Sequence, residues 1–193
     1  LPDVFGYSAA LPQIMKECGI QSFMTTKISW NEVNQIPYDS FWWEGIDGTR
    51  ILTHFITTRD YGKNGKNIKT GNEFTTSFTT NYNGVTHPSQ IKGAWQRYQQ
   101  KNINDNVLVS YGYGDGGGGP TEWMLETANR LSEGKYGVPK VKQETAGEFF
   151  ERLHDTADQK QFPVWSGELY LEYHRGTYTS QAYNKRMNRK MEL

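Results

Sequence analysis

Leu1-Pro2-Asp3-Val4-Phe5-Gly6-Tyr7-Ser8 opens the chain and places an acid, a glycine and a helix-starting serine within one short stretch. A carboxylate just before a Gly-Tyr-Ser turn sits where a strand ends and a helix begins, the position at which α/β folds present catalytic groups. Behind it Ala10, Leu11, Ile14 and Met15 recur at helical spacing. The spacing predicts a helix over Ser8 to Glu17, capped by Ser8 and stopped by Gly19. Taken alone, Asp3 reads equally well as a solvated turn residue and as a chemical group.

Outward from this turn, β-branched and aromatic segments predict strands at Ser22 to Ile28, Ser40 to Glu44 and Thr49 to Thr57, the last two joined as a hairpin through Gly45-Ile46-Asp47-Gly48. Thr58 to Pro88 is rich in Gly, Asn and Thr without periodicity and reads as a long loop. Helical spacing resumes over Gln90 to Gln100. Asn106 to Tyr113 runs apolar through Val107, Leu108 and Val109 like a buried strand. Further on come a helix opened by Pro120 and Thr121 and running through Leu131, a short strand at Val138 to Lys142, a Thr145-capped helix to Leu153, an alternating strand at Glu168 to Tyr173 and a basic helix over Ser180 to Glu192. Helices alternating with strands predict a parallel α/β fold, part of a barrel.

The composition bounds the partners. Lys+Arg and Asp+Glu both number 21, so no global charge draws the chain to nucleic acid or to an anionic membrane. Lys185-Arg186-Met187-Asn188-Arg189-Lys190 lacks interleaved aromatics and reads as a solvated helix face. Aromatics at 14%, with flat faces and polar tips, suit sugars or peptides. Cys18 is the single cysteine, which excludes an intrachain disulfide or a Cys-rich zinc site, and is expected to pack at a helix end in a protein of a reducing, cytoplasmic compartment.

In Tyr111-Gly112-Tyr113-Gly114-Asp115-Gly116-Gly117-Gly118-Gly119-Pro120 an acid stands among glycines that let backbone approach a ligand. A phosphate cradle would require a Lys-Ser or Lys-Thr that is missing, and Asp115 would repel the anion. Asp3 and Asp115 are two carboxylates at ends of predicted strands, the pair that glycoside hydrolysis needs. His54 reads as a core histidine and Glu172 as a group supporting His174, while Trp42 and Trp43 face opposite sides of a strand, so that one is core.

These stretches, with Phe23-Met24-Thr25-Thr26-Lys27, Trp43-Glu44-Gly45-Ile46-Asp47-Gly48, Thr53-His54-Phe55 and Glu168 through Gln181, resemble glycoside hydrolase family 38 α-mannosidases, closest to the bacterial and cytosolic-type branch, over essentially the whole chain in order. The resemblance implies residues 1–193 to be an internal part of a catalytic domain, a distorted seven-stranded β/α barrel, here ending in a helix. It implies a retaining, zinc-dependent enzyme acting on terminal α-mannosides of oligosaccharides. Asp3 then matches the nucleophile and a zinc ligand, Asp115 the general acid/base, and Lys27 an arginine of other branches. Tyr111, Tyr113 and His174 are expected to line the sugar site. The family's other zinc ligands, a His-x-Asp pair and a later histidine, have no match here, so the isolated chain is expected to be inactive. A homo-oligomeric parent is compatible with all of this. The competing readings are a non-catalytic carbohydrate-binding remnant and, ranked last, a zinc-dependent polysaccharide deacetylase.

Overall fold

The computed structural model describes residues 2–58, 79–134, 137–174, 176 and 180–192. Helix α1 (Leu11–Glu17) leads to strand β1 (Ser22–Thr25), a 3₁₀ turn (Lys27–Trp30), and strands β2 (Ser40–Glu44) and β3 (Arg50–Phe55). Helices α2 (Pro88–Arg97), α3 (Glu122–Ser132) and α4 (Ala146–Gln159), strand β4 (Val164–Ser166) and helix α5 (Ala182–Met191) follow. None of the described helices is long and apolar enough to cross a membrane.

Among the described residues the strands form one sheet in the order β1-β3-β2-β4. It is mixed, where the alternation of elements predicts parallel pairing: β1 and β3 run parallel, β2 and β3 antiparallel, β2 and β4 parallel. The reason is local. Gly45 N–H bonds to Thr49 O at 2.9 Å, and Gly48, at φ +84°, closes a tight reversal that fixes β2 against β3.

Both faces of the sheet are covered. Phe23, Phe41, Trp43, Ile51 and Phe55 alternate onto one face and pack with Tyr7, Met15, Leu169 and Leu171. On the opposite face Leu52 meets Phe149, Phe150 and Leu153 of α4, with Trp42 at the edge of that cluster. Alternation predicts one core tryptophan in the adjacent pair, and it is Trp43. Helix α4 starts on a full capping box, Thr145 exchanging hydrogen bonds with Glu148. His54 is fully buried and satisfied. Leu108 N–H donates to its Nε2 at 3.2 Å, so Nδ1 carries the ring proton and donates to Ser40 Oγ at 2.8 Å.

Several expectations give way to tertiary effects. Ser8 does not cap α1; it accepts the Ala10 N–H at 3.2 Å within the preceding turn, and the helix begins at Leu11. Cys18 is exposed at the end of α1 rather than packed. The first strand stops at Thr25, and the chain then coils into the 3₁₀ turn. Asn106 to Tyr113 joins none of the described strands, because Leu108 spends its N–H on His54 and the stretch makes isolated bridges alone, Tyr111 to Gly84 and Tyr113 to Gly119. Val138 to Lys142 forms no strand. Glu168 to Tyr173 contributes one bridge, Leu169 to Tyr7, while the ladder strand is the unexpected Val164–Ser166. Most of the long loop, residues 59–78, lies outside the described residues.

Candidate active site

The C-terminal ends of β1 and β3 gather the site. Pro2 O accepts the Thr26 N–H at 3.2 Å and the Thr26 hydroxyl at 2.7 Å, which docks Asp3 onto the end of β1. Just beyond, the 3₁₀ turn raises Lys27, and Lys27 Nζ lies 2.9 Å from Asp3 Oδ1. After β3, Asn81 N–H bonds to Thr58 O at 2.9 Å and sets the arm that carries Tyr82. Gly84 then pairs with Ser110 and Gly112 at 3.0 and 2.8 Å. A Cβ on Gly84 would stand 2.5 Å from Ser110 O, so this close approach requires glycine.

The glycine-rich run is a closed turn and not a flexible linker. Tyr113 and Gly119 exchange both backbone hydrogen bonds at 2.8 Å, and Asp115 sits at its tip in the left-handed region, at φ +54°. Tyr82 joins the two acids: its phenol oxygen is 2.8 Å from Asp3 Oδ2 and 2.9 Å from Asp115 Oδ1. Those oxygens are therefore separated by no more than about 5.7 Å (2.8 plus 2.9 Å). Asn83 Nδ2 donates more weakly to Asp115 Oδ2, at 3.4 Å.

Electrostatics separates the roles of these groups. Burial pushes the Asp3 carboxyl upward, but hydrogen bonds from Lys27 and Tyr82, with the charges of Lys27 and His174, outweigh it and hold Asp3 below the ordinary carboxylate value. Burial first, and then the two carboxylates, push the Tyr82 phenol well above its ordinary range, so it is a neutral donor. A phenol carries one hydrogen. Only one of its two carboxylate contacts can receive that hydrogen; the other is satisfied when the carboxyl itself carries a proton.

His174 packs at a tilt against Phe5 with ring centroids 4.9 Å apart and lies 6.4 Å from Trp30, on the Asp3 side of the site. Glu172 does not support His174 through its ring. Its carboxylate accepts the backbone N–H groups of Glu32, Val33 and Asn34, which hold it down at about 2 and lash the 170–174 segment to the loop after the 3₁₀ turn. Two expected sugar contacts are not brought to the acids. The Tyr111 hydroxyl donates to Gln143 at 2.8 Å, and its residue lines a separate groove of about 720 Å³ with Trp95, Leu108 and Val141. Tyr113 closes the glycine turn with its backbone and leaves its side chain half exposed.

Tyr82 was missed by sequence reasoning because it lies in the aperiodic loop; the one available signal was a lone aromatic within Asn81-Tyr82-Asn83-Gly84. Trp30 was missed as well.

Compared with known proteins, residues 1–168 match the model for the glycosyl hydrolases family 38 N-terminal domain. The chain belongs to glycoside hydrolase family 38. This family 38 chain is 42% identical over 195 residues to "Alpha-mannosidase 2C1" of Mus musculus and 41% identical over 196 residues to "Alpha-mannosidase G" of Dictyostelium discoideum. Each alignment covers 100% of the chain and 16% of the relative, so the chain spans about a sixth of their length. Its fold is similar to part of the crystal structure of an alpha-mannosidase from Enterococcus faecalis V583, with a TM-score of 0.51 at 15% identity over 88% of this chain and 17% of that one.

No group of three or more His, Cys, Asp and Glu among the described residues converges to hold a metal ion. Both Asp3 oxygens are already engaged, one by an ammonium and one by a phenol. A catalytic zinc takes three protein ligands, so the described residues of this family 38 chain do not by themselves make a zinc site.

Proposed function

We propose that this chain carries the two carboxylates of a retaining α-mannosidase, with Asp3 as nucleophile and Asp115 as general acid/base, acting on mannose-containing oligosaccharides. The observation that carries the reading is the shared Tyr82 phenol. It limits the facing carboxylate oxygens to about 5.7 Å (2.8 plus 2.9 Å), close to the ~5–5.5 Å of retaining enzymes and short of the ~6.5–9.5 Å that inverting enzymes need for a water.

The roles follow from the charges. Lys27 stands at Asp3, which makes Asp3 the ionised partner and the acceptor of the Tyr82 hydrogen. Asp115, held on the other side of the same phenol, is then the group placed to deliver a proton to the leaving group. In the first step an Asp3 oxygen bonds to the anomeric carbon as the glycosidic C–O bond breaks, and Asp115 transfers its proton to the departing oxygen. In the second step Asp115, now a carboxylate, takes a proton from water; the water oxygen bonds to the anomeric carbon and Asp3 is released ionised. Lys27 and His174 border the face on which the sugar would lie.

The four-stranded sheet would be one portion of a seven-stranded barrel, with residues 1–193 inside a longer catalytic domain. Zinc on Asp3 would require further ligands from outside these residues. The test is turnover of an aryl α-mannoside by the full-length protein beside Asp3→Asn and Asp115→Asn, with the anomer of the first-formed product read by NMR. Full turnover by Asp3→Asn, or inversion at the anomeric carbon, would sink the assignment.

A further inference from the structure

Asp3 is held from two sides, by an ammonium and by a phenol, and one side chain reaches the supports of both. The Trp30 ring lies with its centroid 3.6 Å from Lys27 Nζ, whereas the Phe5 and Tyr82 rings stand 5.8 and 6.0 Å away. At the edge of the same ring, the indole N–H donates to Thr80 O at 2.9 Å. Thr80 is two residues before Tyr82 and is tied again to the 3₁₀ turn, its N–H donating to Ser29 Oγ at 3.0 Å and its hydroxyl bonding to Thr26 O at 3.2 Å.

This matters because lysine is a poor fixed charge. Its flexible four-carbon stem loses rotamer freedom when the ammonium is held at one point. A tryptophan face attracts a cation more strongly than other rings do, and most strongly when the cation is withdrawn from water. Lys27 is only 8% exposed.

We infer that Trp30 is a positioning residue for the reaction proposed above, on which this role rests: its face seats Lys27 against Asp3 Oδ1, and its N–H anchors the arm that delivers Tyr82 to Asp3 Oδ2. Trp30 acts through these two groups. Both act on the carboxylate that attacks in the transition state, so the loss of Trp30 is read in kcat and leaves KM in place.

The experiment places 4,5,6,7-tetrafluorotryptophan at position 30 of the full-length protein by site-specific incorporation, which drains the ring's negative face and keeps its shape and N–H. Trp30→Phe is the complementary variant, keeping a face and removing the N–H. Each is assayed on 4-nitrophenyl α-mannoside, alone and with Lys27→Met. Fluorination is expected to lower kcat about tenfold, the size of a partly desolvated cation–π contact, with KM within twofold. With Lys27→Met in place, fluorination is expected to have no further effect. Trp30→Phe should retain more activity than Trp30→Leu. An unchanged kcat on fluorination, or an equal loss with and without Lys27, overturns the role of Trp30 while leaving the glycosidase reading intact. Absence of turnover in the unsubstituted protein overturns the glycosidase reading, and this role with it.

Discussion

Tyr82→Phe removes one oxygen from the site and leaves the ring, so it isolates the bridge between the carboxylates. The lost hydrogen bond joins a neutral phenol to an ionised Asp3 at 2.8 Å. Hydrogen bonds to charged groups contribute ~1.5–3 kcal/mol. The Asp3 side chain is 41% exposed, so solvent screens it and the lower end applies, ~1.5 kcal/mol or about tenfold in rate. The second contact, to Asp115 at 2.9 Å, sets the acid at its working separation, so poor leaving groups that need full protonation should lose more than activated ones. The assay is kcat for two aryl α-mannosides of differing leaving-group acidity, with thermal unfolding followed in parallel. A loss below twofold, a loss confined to KM, or the same loss for both leaving groups would refute the argument that the phenol sets the pair.

Asp115→Asn should lower kcat on unactivated mannosides by roughly 10²–10⁴-fold, the usual contribution of a general acid/base, and by much less on an activated aryl mannoside; kinetics on the two substrates checks it. Gly84→Ala drives a Cβ to 2.5 Å from Ser110 O and should displace the Asp115 turn, lowering both kcat and stability; a variant of wild-type rate would contradict the close approach. Burial holds His54 down at about 3, so its contribution to stability is full above about 6.5 and is lost as pH falls toward 3, at up to ~1.4 kcal/mol per pH unit. Burial raises the Asp39 carboxyl to about 6 against the pull of Gln99 and of Arg97, so stability there rises as pH falls from 6 toward 3.8 and offsets His54; urea unfolding of Asp39→Asn should therefore show a steeper acid loss between pH 6 and 4 than the parent. Glu172→Gln exchanges a carboxylate for an amide that cannot accept the N–H groups of residues 32–34 on both oxygens, so hydrogen exchange at those amides should quicken; unchanged protection would show that the lashing is immaterial.

Local chemistry was legible where it needed no distant partner. The Gly45–Gly48 reversal, the Thr145 capping box, Gly19 at the end of α1 and the full burial of one tryptophan of the Trp42-Trp43 pair all follow from propensity and from period-two alternation. Asp3 and Asp115 stood out from their own motifs as a pair of candidate acids, Lys27 entered through the family resemblance, and Asp3 and Lys27 lie 2.9 Å apart. Elements failed where a side chain from elsewhere took over a backbone group. Leu108 gives its N–H to His54, and Glu172 donates its backbone N–H to Asn31 Oδ1, so neither apolar run becomes a ladder strand.

By itself, then, the sequence determined the family, the α/β class and two candidate acids, Asp3 ahead of a Gly-Tyr-Ser turn and Asp115 within a glycine-rich one. It held no term for the distance between them. That distance is decided by Tyr82 and Trp30, which stand 79 and 27 residues after Asp3 in the chain and carry no motif. Their positions depend on the ends of β1 and β3 lying side by side, on glycine at 84 admitting Ser110, and on an indole ring under a lysine. Such contacts are made through space by side chains whose neighbours are set only when the sheet closes, and for that reason the tertiary structure alone brings the two carboxylates to one phenol.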